Sequence, residues 1–257
     1  MRLVAPILAY HAVHPLRLDS INVTPDHFGA QLKWLAQRGY RGVSLCEYLR
    51  QAEEQPDKIG RLVALTFDDG YLDNLTYAWP LLEKFDFSAT IFVVAERIGT
   101  DQMIDPVLLT THPNVPRTAY QFLSWADVQT LHHKGIEIGA HTCTHPMLDQ
   151  LDAAAQRYEI VEAKKMIEAR LHQPVASFCY PYGHFNDESL RIVEAAGYSQ
   201  AVVTPWRAGL IRGGRFTLRR VGLYRRDNWL RFVYKISPLF ELARMIKQRR
   251  APHVTGI

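Results

Sequence analysis

Two short polar runs, at residues 68–70 and 141–145, hold the side chains best suited to chemistry. Asp68 and Asp69 stand side by side before a glycine, and His141 and His145 lie four residues apart. One carboxylate with two imidazoles is a common open metal site, which leaves coordination positions for water and substrate. A second carboxylate beside such a site is a candidate general base. The pattern therefore predicts hydrolysis by a metal-activated water.

Each polar run follows an apolar segment that is typical of a buried strand, at 62–67 and at 136–140. Taken alone, Asp-Asp-Gly is also compatible with an ordinary turn, and two histidines four residues apart with a surface helix. Gly139, two threonines and Pro146 disfavour a helix at the histidines. Since both runs stand at strand ends, we favour a joint site over two unrelated turns.

Strand-like and helical segments alternate along most of the chain, which predicts a parallel sheet with helices outside it. We expect an α/β fold, a distorted (β/α) barrel of about seven strands in a single domain. The helix predicted at 151–171 carries its charges, among them Glu159, on one face. The proline-containing segment 96–122 is expected to form a loop insertion over the site. The predicted strands lie at 3–10, 42–45, 62–67, 89–94, 136–140, 176–180, 200–204 and 216–221.

In such barrels the active site lies at the carboxyl ends of the strands. His11 follows the first predicted strand, and Tyr180-Pro181-Tyr182-Gly183 follows the one at 176–180. These residues should therefore converge with the two polar runs. Each has an alternative: a lone histidine is more often structural, and the tyrosine-containing run could be a plain turn.

Bulk properties narrow the function class. The net charge of +4 is too small to indicate a nucleic-acid partner, and three widely spaced cysteines do not suggest a disulfide framework. The N-terminus does not read as a signal peptide, and no apolar run reaches the roughly 18 residues of a membrane span. We expect a cytoplasmic protein, either free or peripheral at the inner membrane face.

The C-terminal residues 226–257 are expected to form a basic, amphipathic helical extension to a barrel of residues 1–225. Apolar side chains alternate with lysine and arginine over 228–250. Such a segment can lie on an anionic membrane. It can equally close the barrel with its apolar face, and the sequence leaves both open.

Four motifs resemble those of the polysaccharide deacetylase family, also called the NodB-homology or carbohydrate esterase family 4 enzymes. The similarity runs from about residue 8 to residue 221, and the branch with Tyr-His on its first strand is similar to poly-N-acetylglucosamine deacetylases. The family has a distorted (β/α) barrel and removes N- or O-acetyl groups from sugars with a bound metal. The matching residues are Tyr10-His11, Thr66-Phe67-Asp68-Asp69-Gly70, His141-Thr142-Cys143-Thr144-His145 and Phe178-Cys179-Tyr180-Pro181-Tyr182-Gly183.

The resemblance implies a role for each polar residue. Asp69, His141 and His145 would bind a divalent metal, usually Zn²⁺, and Asp68 would be the general base. That metal would lower the pKa of a bound water from 15.7 to about 7.

The remaining motif residues would act on the substrate. The motif Tyr180-Pro181-Tyr182 would face it, with the backbone N–H of Tyr182 as an oxyanion donor. His11 would protonate the leaving amine, or else would only hydrogen-bond Asp68 or a loop.

Two departures from the family pattern leave alternatives open. Cys179 stands where many members have an arginine that orients the catalytic aspartate, and the usual late histidine is missing. The expected substrate is an acetylated amino sugar in a polysaccharide, or in a lipid-linked or nucleotide-linked precursor. The alternatives are a catalytically weak carbohydrate-binding member, or a deformylase or amidohydrolase acting on another C–N bond.

Overall fold

The structure is a computed structural model that describes residues 6–56, 59–99, 114–203 and 214–237, together with 239, 240 and 243. The strands are β1 (Ile7–Tyr10), β2 (Ala12–Val13), β3 (Asn22–Val23), β4 (Arg41–Val43), β5 (Leu62–Phe67), β6 (Thr90–Val93), β7 (Glu137–Ala140), β8 (Ser177–Tyr180), β9 (Gln200–Val203), β10 (Leu218–Arg219) and β11 (Val221–Gly222). The helices are α1 (Pro25–Gln37), α2 (Leu45–Glu54), α3 (Trp79–Lys84), α4 (Trp125–His133), α5 (Ala153–Arg157), α6 (Ala163–Leu171), α7 (Asp187–Ala195) and α8 (Trp229–Lys235). A π-helical turn, Asn74–Ala78, leads into α3, and another, Tyr158–Glu162, joins α5 to α6.

Eight of the parallel strands form a nearly closed ring in the order β10-β9-β8-β7-β6-β5-β1-β11, and β2 and β3 form a separate two-stranded sheet. The short strands β10 and β11 are two halves of one segment, because Leu218 pairs with Val202 in β9 while Val221 pairs with Leu8 in β1. That segment, 218–222, joins the first strand of the ring to the last. With it counted once, the described part of the ring has seven strands, and β4 pairs beside the start of β5. The predicted (β/α) barrel is confirmed.

Local sequence explains why these elements form. Every residue of β5 is buried, as the apolar run 62–67 predicts. Helices begin at residues that cap their free N–H groups: the Thr24 hydroxyl accepts from His27 N, and Ser124 forms a capping box with Asp127 at α4. The elements thus stand where their sequence signals put them.

Gly139 in β7 allows the strand before the histidines to approach its neighbours closely. A Cβ atom at this position would lie 2.5 Å from the Phe92 ring and 3.0 Å from the Ser177 carbonyl oxygen. No larger residue fits without moving β6 or β8, so this glycine fixes the position of the chain that leads into His141.

The C-terminal part of the chain begins as an added helix on the barrel. Phe232 of α8 is fully buried, with its ring 5.7 Å from that of Trp34 on α1. Most of the predicted extension beyond residue 237, and residues 100–113 of the predicted loop insertion, lie outside the described residues. None of the helices described is long and apolar enough to cross a bilayer.

Candidate functional site

The carboxyl ends of β5 and β7 bring Asp69, His141 and His145 together. Asp69 and His145 each have a φ of 73°, and Thr142 has 65°. Left-handed backbone is costly for a β-branched residue such as threonine. The Thr142 hydroxyl accepts a hydrogen bond from His145 N at 2.9 Å, which helps to hold this turn. The turn directs both imidazoles towards one point.

The three side chains are spaced as metal ligands. Asp69 Oδ1 lies 3.7 Å from His141 Nε2 and 3.3 Å from His145 Nε2. The two Nε2 atoms are 3.2 Å apart. Ligands at about 2.0–2.1 Å from a tetrahedral zinc ion stand about 3.3 Å from one another. The separations of the three donor atoms are therefore compatible with binding of a divalent metal such as zinc.

His141 is held in the tautomer that a metal ligand needs. Its Nδ1–H donates to the carbonyl oxygen of Cys179 at 2.7 Å, which leaves the lone pair of Nε2 directed at Asp69 and His145. Burial, followed by the neighbouring charge of His145, lowers the pKa of His141 to about 4. The imidazole is therefore neutral at neutral pH.

Glu159 supports the loop between the two histidines, a role that its sequence position did not predict. It is buried rather than part of a solvated charged face, because the π-helical turn carries it under the loop. Its carboxylate accepts from the backbone N–H groups of Cys143 and Thr144, each at 2.9 Å, and from the Thr144 hydroxyl at 2.6 Å. These bonds fix the backbone that presents His145.

Arg220 holds Asp68 in a two-pronged ion pair. Its Nη1 donates to Asp68 Oδ1 at 2.7 Å and its Nη2 to Asp68 Oδ2 at 2.6 Å. The same guanidinium reaches the Thr66 hydroxyl at 2.9 Å and Cys179 Sγ at 3.0 Å. Arg220 is fully buried between β10 and β11. The resemblance implies an arginine where this chain has Cys179, and Arg220, from the segment 218–222, takes the corresponding place beside Asp68.

The guanidinium also sets the charge of Asp68. Burial by itself would raise the pKa of this carboxyl, but the charge and hydrogen bonds of Arg220 outweigh burial and hold the pKa below its ordinary value. Asp68 is therefore an ionised acceptor at neutral pH, with 1% of its surface exposed.

His11 lies beside Asp68, directly after the carboxyl end of β1. Its Nε2 is 3.7 Å from Asp68 Oδ2, which is too long for a hydrogen bond. Asn74 Nδ2 donates to the His11 carbonyl oxygen at 2.9 Å and holds its backbone in place. The structure therefore places His11 at the candidate site, next to Asp68.

In the run 180–183, one tyrosine lies at the mouth of the barrel and the other is buried in the core. Tyr182, with φ 55°, has its ring 4.6 Å from the His145 ring and is 48% exposed. Tyr180 is fully buried, packed between Phe178 and Phe185, and Pro181 is also buried. The structure brings the Tyr182 ring to the site and leaves the Tyr180 ring in the core.

Asp68, His141 and Cys179 form a second group of possible ligands. Burial raises the pKa of the Cys179 thiol well above its ordinary value, and both Asp68 oxygens are already bound to Arg220. A protonated thiol is a poor ligand, so the set with Asp69 is the better metal site.

The family model for polysaccharide deacetylases matches residues 55–201. The Bacillus subtilis (strain 168) protein YxkH, whose name places it among polysaccharide deacetylases, is 31% identical over 216 residues, which cover 84% of this chain and 70% of that protein. The poly-beta-1,6-N-acetyl-D-glucosamine N-deacetylase of Escherichia coli (strain K12) is 24% identical over 220 residues, and the match covers 74% of this chain but 32% of that longer protein.

A solved structure shares the fold. The deacetylase PplD of Streptococcus pyogenes, determined in complex with acetate, aligns with a TM-score of 0.75 at 25% identity, over 93% of this chain and 100% of that one. Together with the family match and the 31% identity to YxkH, this likeness confirms the resemblance seen in the motifs. The chain belongs to the polysaccharide deacetylase family.

Proposed function

We propose that this chain is a metal-dependent hydrolase that removes N-acetyl groups from an amino sugar in a polysaccharide or a lipid-linked glycan precursor. The proposal rests on a cluster of three possible metal ligands that lies next to an ionised, buried carboxylate. Three ligand atoms stand within 3.7 Å of one another, and a buried carboxylate beside them is kept ionised by Arg220. Family membership supports hydrolysis of an amide.

Asp69, His141 and His145 would hold the ion, with Zn²⁺ favoured by two nitrogen ligands and one oxygen ligand. When bound, such an ion lowers the pKa of water towards neutrality and polarises a carbonyl group. Asp68, ionised and held by Arg220, accepts the proton of the attacking water. A base fixed in position needs no rearrangement at the moment of reaction.

His11 donates a proton to the leaving amine. It approaches Asp68 to 3.7 Å without bonding to it, so its Nε2 is available to a substrate. The Tyr182 backbone N–H remains our predicted oxyanion donor, and its half-exposed ring beside His145 offers a stacking surface for a sugar.

The test is acetate release from a soluble chito-oligosaccharide by the zinc-loaded protein. Asp68→Asn keeps the size of the side chain but removes the base, so we expect the rate to fall by about 10²–10⁴-fold. Asp152→Asn is the matched control, because asparagine caps α5 as well as aspartate does. It should leave the rate unchanged.

Two other functions give different outcomes in the same assay. A binding-only protein would bind the oligosaccharide in calorimetry and release no acetate. A deformylase would release formate from an N-formyl sugar much faster than acetate from its N-acetyl counterpart. Either result would replace the proposal.

A further inference from the structure

An exposed apolar pair lies at the mouth of the barrel. Leu16 is 52% exposed and Leu18 is 46% exposed, on either side of the fully buried Arg17. Their loop, 14–21, follows β1 and the short β2, so it stands at the carboxyl ends of the ring strands, where the candidate site lies. Neighbouring exposed apolar side chains that are rimmed by polar groups are typical of an interaction surface.

Arginines adjoin this pair on the next loop. The segment 223–228 follows β11 and so emerges at the same end of the ring. Arg225 ties the two loops together, because its N–H donates to the Ser20 carbonyl oxygen at 3.1 Å and its Nη1 to the Arg17 carbonyl oxygen at 2.7 Å. Arg225 and Arg226 are both exposed.

The apolar and basic surface continues onto α8. Leu230 is 77% exposed, and Tyr234, one helical turn later, is 46% exposed. Arg231 is exposed and its Nη1 donates to the Arg226 carbonyl oxygen at 3.4 Å. We call Leu16, Leu18, Arg225, Arg226, Leu230 and Arg231 the rim patch, since hydrogen bonds from Arg225 and Arg231 link the segments that carry them.

The exposed charge of the rim patch is positive. The two carboxylates within its segments are buried and paired: Asp19 with Arg17 at 2.8 Å, and Asp227 with Lys235 at 2.5 Å. The partner must therefore offer both an apolar phase and negative charge. Sugar hydroxyls provide neither, whereas an anionic bilayer provides acyl chains for leucine and phosphates for arginine.

We propose that the rim patch docks the mouth of the barrel on an anionic lipid surface. Docking itself does not depend on the reaction. A corollary rests on the proposed function: with its mouth on the bilayer, the site takes an amino sugar that is linked to a lipid. The surface is formed by described residues of the barrel loops and of α8, and does not need the chain beyond residue 237.

The test is co-sedimentation of the full chain with vesicles of phosphatidylcholine, with and without phosphatidylglycerol. We expect binding only to the anionic vesicles. Each arginine near such a surface contributes about 1 kcal/mol, or roughly fivefold in affinity. Arg226→Gln with Arg231→Gln should therefore weaken binding about 30-fold, and Leu16→Ser with Leu18→Ser should weaken it further.

The matched control is Arg50→Gln with Arg191→Gln, which removes the same charge from exposed positions on α2 and α7. An equal loss in this control would show general attraction of a basic protein and would overturn the proposal. Dimerisation through the patch would also overturn the proposal. In that case the wild type would show a mass that rises with concentration and no vesicle binding, and the leucine variant would stay monomeric.

Orientation is tested with a polarity-sensitive dye on Ser20→Cys, an exposed position in the leucine-bearing loop. Its emission should shift to the blue on anionic vesicles, while a dye on Lys165→Cys of α6 should not respond. Acetate release from the soluble oligosaccharide should be unchanged in the leucine variant. Loss of vesicle binding and loss of catalysis are thereby separate results, so either proposal can fail alone.

Discussion

Loss of Arg220 should cost both stability and catalysis, because this residue is the ion-pair partner of the buried Asp68. Arg220→Met removes two short charge-assisted hydrogen bonds, at 2.7 and 2.6 Å, and leaves a carboxylate with 1% exposure unpaired. Breaking one side of a buried ion pair costs about 3–5 kcal/mol. In a chain of this size that lowers Tm by about 6–20 °C, measurable by scanning calorimetry.

The pH dependence of that loss has a definite sign. In the wild type the folded-state pKa of Asp68 is depressed, so its stabilisation is present above the unfolded pKa and is lost as pH falls through the folded value. Without Arg220, burial dominates and raises the folded pKa of Asp68, so the variant gains stability as pH falls. The difference in Tm should be largest near neutral pH and should shrink in acid.

Activity should follow the same logic. A base that is neither held nor kept ionised should lower kcat/KM for acetate release by about 10²-fold, and the acid limb of the rate profile should move to higher pH. Arg220→Lys keeps the charge but loses the fork, so it should recover part of the rate. In an Asp68→Asn background, Arg220→Met should cost much less.

Arg215→Met serves as the control, since Arg215 lies in the same part of the chain but pairs with Glu53 at the surface. It should resemble the wild type in every readout. A kcat/KM for Arg220→Met within a few-fold of the wild type, with an unchanged rate profile, would refute the reasoning.

Three further predictions concern the metal and the acid. Zinc at about 100 times its Kd should raise the free energy of unfolding by about 2.7 kcal/mol, and His145→Ala should abolish that rise in a thermal-shift titration; a rise that persists would place the ion elsewhere. Glu159→Gln should weaken zinc binding about 10–100-fold, as measured against a chromophoric chelator, and an unchanged affinity would contradict its supporting role. His11→Gln should lower kcat by about 10²–10⁴-fold with zinc affinity unchanged, whereas near-normal turnover would assign proton delivery to another group.

The sequence predicted the parts of the site that are local. Asp69 and the two histidines follow directly after strands, and parallel strands of one ring end at the same mouth, so position along the chain sufficed to bring them together. The burial of the Tyr180 side chain was not predicted, because its motif was expected to face the substrate, and the structure supplies the reason. Successive side chains of a strand point to opposite faces, so Cys179, which contacts Asp68 inside the ring, places Tyr180 on the other face.

Arg220 and Glu159 depend on long-range packing and escaped sequence reasoning. Arg220 meets Asp68 only because β10 and β11 pair with β9 and β1 in one register. A charged residue inside a strand-like stretch was its only signal. In the sequence, Glu159 is one of several charged residues on a predicted helix. The π-helical turn that changes its direction cannot be recognised from the spacing of apolar and charged residues.

The segment 218–222 seals the circle of strands and also supplies the cation for Asp68. If Asp68 is the base that we propose, catalysis would depend on completion of the ring. A nascent chain that has emerged as far as β9 already has Asp69, His141 and His145, yet lacks the Arg220 guanidinium that keeps Asp68 ionised. The proposed activity would therefore begin only once the segment 218–222 has folded into the ring. Arg220 also lies outside the residues 55–201 that the family model matches. A search for motif residues alone would find Cys179 in place of the usual arginine and would wrongly class such a chain as inactive.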